Sequence, residues 1–150
     1  FAGKRVLFVG YGEQAEMLNE KINDLDLSDC CYYLGPKTHR ELSELYNQAD
    51  IMIFPTMLYE SLGLVGIEAM ACGCPVIGSD IGCLPEYIKE GITGFLFEPG
   101  NSHELAERIV DFYKLTEKQR NTMRLEAIRY VDKYESRKIS QALINKIKEI

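Results

Sequence analysis

The chain has 150 residues, of which 46% are hydrophobic and 27% charged, a composition typical of one globular domain with a hydrophobic core. Its formal net charge of -6 argues against nonspecific binding of nucleic acid, which requires a clustered basic surface. No apolar run reaches the roughly 18 residues that a membrane-spanning helix requires. We therefore expect no nucleic-acid partner and no transmembrane segment.

Apolar runs alternate with segments of helical spacing over the first hundred residues. We predict five strands, at residues 5–9, 30–34, 51–54, 75–79 and 94–97. We predict helices between them, at residues 13–25, 38–48, 63–71 and 85–89. Thr38 followed by Glu41 predicts a capping box at the second of these helices. The first strand is apolar throughout, as in a strand buried on both faces.

Beyond residue 101 only helical periodicity remains. It predicts helices at residues 102–115, 117–134 and 136–148, the last with Ile139, Leu143 and Ile147 on one face. Strands that alternate with helices predict an α/β fold: a Rossmann-like parallel sheet with helices on both faces and a helical C-terminal tail. Ligands of such sheets bind beyond the carboxyl ends of the strands, so we expect the site in the turns that follow them.

The turn after the third strand carries a carboxylate on each side. Glu60 and Glu68 are separated by seven residues that include Gly63 and Gly66. Exposed N–H groups at a helix start suit phosphate, and an ionised carboxylate accepts hydrogen bonds from sugar hydroxyls. A ligand with a diphosphate and sugar hydroxyls is a nucleotide-sugar.

The cysteines indicate reduced thiols. Their number, five, is odd and their spacing resembles no disulfide framework, which favours a cytoplasmic location. Cys72 and Cys74 could form half of a zinc site, but no second cysteine pair or nearby histidine completes it. We expect no metal and no cofactor.

The segment from Glu60 to Ile77, ESLGLVGIEAMACGCPVI, is similar to the glutamate-x7-glutamate signature of the retaining glycosyltransferases of family 4, which have the two-domain GT-B fold. Other segments match in the family's order: VGYG at residues 9–12, YLG at 33–35, YNQAD at 46–50, SDIGCLPE at 79–86, GITGF at 91–95 and YES at 134–136. The family usually has phenylalanine where this chain has Leu62.

The resemblance implies the C-terminal, donor-binding half of a GT-B hexosyltransferase. Such an enzyme would move a hexosyl group, with retention, from a nucleoside diphosphate-sugar to a glycan or lipid-linked acceptor, as in polysaccharide biosynthesis. Relatives often work at the inner membrane face, so we expect a cytoplasmic protein with a possible peripheral position there. The resemblance implies no metal.

The resemblance also implies that residues 1–150 are a single donor-binding domain and a fragment of a longer enzyme. The family's donor domain begins with one further strand-helix unit, which carries an arginine and a lysine for the diphosphate, and residues 1–9 match the strand after it. In the usual strand order the missing strand would be central. The acceptor-binding N-terminal domain is also absent, so we expect the isolated fragment to be inactive.

Individual roles follow from the same resemblance. Glu60 is the catalytic candidate, which faces the donor sugar without acting as a nucleophile, and Glu68 would bind the ribose. Backbone N–H groups would bind the diphosphate at Ser61, Leu62, Gly63 and Leu64. Gly10 and Gly12 would shape the floor near the nucleotide, and the base would meet main-chain atoms of Leu34, Gly35 and Pro36.

Simpler interpretations remain open for several of these residues. Glu68 could be a glutamate favoured near a helix N-terminus, and Ser61 could be an ordinary helix N-cap. Gly10 and Gly12 after an apolar strand also fit a loose dinucleotide fingerprint, so an NAD-binding Rossmann oxidoreductase is one alternative. Against it, no carboxylate ends the next strand at residues 33–35. A noncatalytic module that binds a sugar nucleotide is the other alternative.

Overall fold

The computed structural model describes residues 3–135 and 138. The chain divides into two compact units at the bond between Leu42 and Ser43, and each unit is described by itself. Helix α2 (His39–Gln48) crosses this boundary. At its start the Thr38 N–H donates to Glu41 Oε2 at 2.8 Å, and Thr38 Oγ1 accepts from the Glu41 N–H at 3.3 Å. The predicted capping box is therefore confirmed.

The N-terminal unit contains a two-stranded parallel sheet. Strand β1 (Val6–Val9) pairs with β2 (Cys31–Gly35), and α1 (Ala15–Asp24) connects them. Val6 and Leu7 are 42% and 43% exposed. The interpretation of β1 as a strand buried on both faces is therefore wrong for the described residues. The reason is that β1 pairs there with β2 alone, so its other edge and much of its apolar surface are uncovered.

The C-terminal unit contains a three-stranded parallel sheet in the order β3-β4-β5. Its strands are β3 (Met52–Phe54), β4 (Val76–Ser79) and β5 (Gly94–Phe97). Its further helices are α3 (Leu64–Ala71), α4 (Leu84–Tyr87), α5 (Ser102–Lys114) and α6 (Glu117–Val131), followed by a 3-10 turn at Asp132–Tyr134. The predicted strands and the parallel pairing are confirmed. Within the described residues, however, they form two sheets and not one.

Both faces of the three-stranded sheet are covered. Neighbouring residues of β4 show this, because they belong to two different hydrophobic cores. Val76 belongs to a core with Met70 of α3 and Ala127 of α6. Ile77, one residue later, belongs to a core with Phe112 of α5 and Met123 of α6. All six side chains are buried. The predicted arrangement of helices on both faces is confirmed for this unit.

The boundaries of several elements differ from their predictions. Helix α3 begins at Leu64, one residue later than expected, and the regular α-helix of α6 ends at Val131 before the 3-10 turn. The predicted helix at residues 136–148 lies outside the described residues, apart from Lys138.

Candidate functional site

The start of helix α3 has the geometry of an open anion-binding turn. Gly63 is the N-cap in the left-handed conformation, with φ 61° and ψ 53°, and no side chain of the N-cap closes the first turn. The Gly66 N–H bonds back to the Gly63 carbonyl at 2.9 Å. N–H groups at such a helix start point outward and favour an anion. The alternative in which Ser61 is the N-cap is wrong, because Gly63 occupies that position.

The side chain of Tyr87 in α4 packs against the backbone of this turn. A Cβ atom at Gly63 would lie 2.8 Å from the Tyr87 hydroxyl oxygen, and one at Gly66 only 2.5 Å from it. Glycine at both positions is what makes room for the ring, which is fully buried. Burial, with Cys83 and Glu60 nearby, raises the pKa of Tyr87. The hydroxyl therefore keeps its proton and remains a donor. Sequence reasoning missed Tyr87, because no local pattern links it to α3.

The surface around the turn is accessible on one side. Ser61 and Leu62 are exposed, and Leu64 is 60% exposed, whereas Gly63 between them is buried. The side chains thus project outward while the backbone of Gly63 is packed against Tyr87. A ligand could approach the N–H groups of this segment without displacing the core.

Glu60 is half-buried and precedes this segment directly. Its carboxylate oxygen Oε1 lies 3.5 Å from the Thr56 hydroxyl, the outer limit of a hydrogen bond. Its backbone carbonyl accepts from the Cys83 N–H at 3.1 Å. The backbone of Glu60 is thus tied to the loop after β4, whereas its carboxylate can still accept hydrogen bonds.

Glu68 lies in the second turn of α3 and is half-buried. Burial and, next, the negative charge of Glu68 raise the pKa of Tyr46 to about 12. The Glu68 carboxylate therefore lies near the side chain of Tyr46 in α2. The structure places Glu60 before the open turn and Glu68 after it, in the same unit.

The other predicted site residues belong to the N-terminal unit. The Gly10 N–H donates to the Gly35 carbonyl at 3.0 Å, and the Tyr33 hydroxyl donates to the Gly10 carbonyl at 2.9 Å. Leu34 is half-buried and Pro36 exposed. A cleft of about 390 Å³ is lined by residues that include Phe8, Gly10, Gly12, Ala15, Leu18 and Tyr33. This unit therefore brings the glycine turn and the end of β2 together.

A second cavity, of about 470 Å³, lies in the C-terminal unit and is unsuited to a diphosphate. Its charged lining consists of one arginine and four carboxylates: Arg108, Asp80, Glu90, Glu98 and Glu104. Arg108 is engaged by Glu104 at 3.2 Å and Glu90 at 3.4 Å. Negative potential therefore dominates this cavity.

The part of the chain that the structure describes lacks both a metal-ligand cluster and a membrane-spanning helix. Residues 3–135 and 138 contain no group of three or more histidine, cysteine or acidic side chains placed to hold a metal ion. In the same part of the chain no helix has the length and apolar character needed to cross a membrane.

Comparisons with known proteins identify the family of the chain. The sequence model of the family described as glycosyl transferases group 1 matches residues 4–129. The chain is 35% identical over 117 residues to the N-acetyl-alpha-D-glucosaminyl L-malate synthase of Bacillus anthracis. The aligned segment covers 78% of this chain and 30% of that protein. It is 36% identical over 112 residues to the D-inositol 3-phosphate glycosyltransferase of Mycobacteroides abscessus, covering 71% of the chain and 25% of that protein.

Solved structures of the Anabaena protein HepE share the fold. The HepE complex with UDP has a TM-score of 0.89 and 26% sequence identity, over 100% of this chain and 42% of that chain. The HepE complex with UDP-glucose has a TM-score of 0.85 and 26% identity, over 97% of this chain and 41% of that one. The chain thus spans less than half the length of each of these relatives.

Proposed function

Because the chain belongs to the family of group 1 glycosyl transferases, we propose that it binds the nucleoside diphosphate-sugar donor of a retaining hexosyltransferase. Glu60 is then the catalytic candidate, and Glu68 binds the ribose. The family favours this function over that of an NAD-dependent oxidoreductase.

One observation carries the proposal: an uncapped helix N-terminus lies between two carboxylates. The first turn of α3 has no capping side chain, so the N–H groups of Leu64 and Val65 are available to a diphosphate, whereas that of Gly66 bonds to the Gly63 carbonyl. They would also stabilise the charge that develops on the leaving diphosphate, a role that requires no metal ion. Glu60 and Glu68 supply acceptors for sugar hydroxyls on either side.

We propose UDP as the nucleotide to test first. The support is that HepE, whose fold covers this whole chain, has been solved with UDP and with UDP-glucose. In this chain the base would contact main-chain atoms of Leu34, Gly35 and Pro36, and the glycine turn of Gly10 and Gly12 would lie near the nucleotide.

We further propose that residues 1–150 form the donor-binding domain of a longer, cytoplasmic enzyme. The chain spans 30% and 25% of the two curated relatives. Among the described residues β1 pairs only with β2, and β3 only with β4, so each sheet has an edge that one further strand could cover. A separate N-terminal domain would bind the glycan or lipid-linked acceptor, at the inner membrane face where the acceptor is a lipid. The isolated domain would bind donor without transferring sugar.

The proposal is tested by ligand-observed NMR at millimolar concentrations of UDP-glucose, GDP-glucose, ADP-glucose and NAD. We expect one nucleotide-sugar to bind, and Glu68→Gln to weaken it by roughly tenfold, because a hydrogen bond to a charged group is lost. Glu117→Gln, in the first turn of α6, removes the same charge at a residue to which the proposal gives no role; it is the matched control and should change nothing. Binding of NAD that is indifferent to Glu68→Gln, or no binding of any nucleotide-sugar, would contradict the proposal.

A further inference from the structure

We propose that Gly82, together with the N–H of Cys83, positions Glu60, and that this contact determines how strongly the site prefers a nucleotide-sugar to the bare nucleotide. The inference rests on the proposed function, because it gives Glu60 the donor sugar as its ligand. Gly82 would be a positioning residue, since it acts through Glu60 and touches no substrate itself.

The first support is the close approach between Gly82 and the backbone of Glu60. A Cβ atom at Gly82 would lie 2.6 Å from the carbonyl oxygen of Glu60 and 2.8 Å from its nitrogen. Contacts this short with backbone atoms cannot be relieved by a side-chain rotation. Gly82 also has φ +61°, which an L side chain rarely adopts. Any other residue at this position must therefore push Glu60 away or distort the loop.

The second support is that the loop after β4 is itself anchored. The Asp80 N–H donates to the Phe97 carbonyl of β5 at 2.8 Å, and the Cys83 N–H donates to the Glu60 carbonyl at 3.1 Å. Ser79 and Cys83, at the two ends of this loop, are buried. Glu60 thus packs against a segment that is held to the sheet, which makes the loop a fixed reference for its position.

The third support is that Glu60 has few other restraints. Among the described residues, its carboxylate accepts one hydrogen bond, from the Thr56 hydroxyl at 3.5 Å, which is weak. The three residues before it are largely exposed: Met57 71%, Leu58 73% and Tyr59 82%. The position of the carboxylate therefore depends mainly on where the Gly82 contact holds its backbone.

The open turn at α3 is supported separately, through Tyr87 and Gly63. A change at Gly82 should accordingly move the carboxylate of Glu60 more than the N–H groups that would face the diphosphate. Affinity for UDP-glucose should fall while affinity for UDP is kept. A general loss of structure would instead weaken both ligands.

The test compares dissociation constants for UDP-glucose and UDP in the 150-residue chain and three variants. Gly82→Ala and Glu60→Gln should each weaken UDP-glucose by about five- to tenfold and leave UDP within about twofold. The double variant should lose no more affinity for UDP-glucose than either single variant, because both substitutions remove the same interaction. Gly91→Ala is the matched control, since Gly91 has φ +69° but open space around its Cβ position. It should bind both ligands as the wild type does.

Two binding results would overturn the inference: UDP-glucose binding in Gly82→Ala equal to the wild type, or equal losses of UDP and UDP-glucose. A ligand-free measurement keeps the inference separate from the proposed function. In the wild type, NMR should detect a scalar coupling through the hydrogen bond between the Cys83 nitrogen and the Glu60 carbonyl carbon. Gly82→Ala should abolish it and Gly91→Ala should not. Absence of that coupling in the wild type overturns the positioning role, whereas its presence in a chain that binds no nucleotide-sugar contradicts only the proposed function.

Discussion

The hydroxyl of Tyr87 donates to the carbonyl oxygen of Gly63 at 3.2 Å, between two residues that are 24 positions apart in the chain. Both partners are buried, so water cannot replace this bond. The bond joins α4 to the turn that precedes α3. The conformation of the open helix start is therefore supported by a residue of the next helix along the chain.

Removal of this hydroxyl should loosen the turn. We expect Tyr87→Phe to lower the free energy of unfolding by about 1–2 kcal/mol, because the Gly63 carbonyl is left buried without a donor. It should also weaken UDP and UDP-glucose by the same factor, since the N–H groups at the start of α3 would face the diphosphate common to both. Chemical denaturation and NMR titration measure the two effects. Tyr32→Phe, whose exposed hydroxyl donates to the Asp29 carbonyl at 2.8 Å, is the control and should change neither.

Replacing Gly66 with alanine has two opposite effects on the free energy of unfolding. Alanine inside a helix is favoured over glycine by about 1 kcal/mol. At Gly66, however, the new methyl group would lie 2.5 Å from the Tyr87 hydroxyl oxygen, and overpacking of this kind costs about 1–3 kcal/mol. We expect Gly66→Ala to destabilise the chain in urea denaturation. Tyr87→Phe should cost less stability in the Gly66→Ala background than in the wild type, because there it also deletes the atom closest to the new methyl group. A Gly66→Ala chain that is more stable than the wild type would contradict this packing.

Ser79 and Thr93 form a contrasting pair of buried hydroxyl groups. Both residues are 0% exposed. The Ser79 hydroxyl has no hydrogen-bond partner among the described residues, whereas Thr93 accepts from the Lys89 N–H at 2.8 Å and donates to the Tyr87 carbonyl at 2.9 Å. Ser79→Ala should therefore raise the free energy of unfolding by about 1 kcal/mol, and Thr93→Val should lower it by about 1–3 kcal/mol. Destabilisation by Ser79→Ala would show that its hydroxyl is satisfied in solution.

The two capping boxes should respond differently to acid. Hydrogen bonds from the N–H and hydroxyl of Thr38 lower the pKa of Glu41. A carboxyl whose pKa is lowered by folding stabilises the helix above its unfolded pKa, and this contribution is lost as the pH falls through the lower, folded value. In α6 the box is formed by Thr116 and the uncharged Gln119. An NMR titration should therefore show an acid transition at the Thr38 amide, with a midpoint below the ordinary glutamate pKa, and none at Thr116.

The features that the sequence predicted are those with a local cause. Alternating apolar runs and helical spacing located all five strands, and the capping box at Thr38 depends on residues three positions apart. Contacts between distant residues left no such pattern. The position of Tyr87 beneath Gly63 and of Gly82 against Glu60 depends on tertiary packing, which periodicity does not encode.

Strand β1 is a case in which the local pattern predicted a burial that the structure does not have. Its apolar sequence predicts a strand that is covered on both faces. Whether other elements cover those faces depends on tertiary packing, and in the described residues β1 is mostly exposed. Likewise the N-cap is Gly63 and not Ser61, and its left-handed conformation and packing against Tyr87 are tertiary features. The roles of Glu60, Glu68 and the base-side residues remain predictions for the binding experiments.

The division of β4 between two cores has a consequence for how the C-terminal unit unfolds. Val76 and Ile77 are neighbours in one short strand, so separation of the α3 side cannot occur without withdrawing the strand from the α5 side. The unit should then open as a single cooperative foldon, with similar hydrogen-exchange free energies for the deepest amides on both faces. A stabilising change made among Phe95, Phe112 and Met123, far in sequence from the open turn at Gly63, would in that case lengthen the lifetime of the folded turn as well.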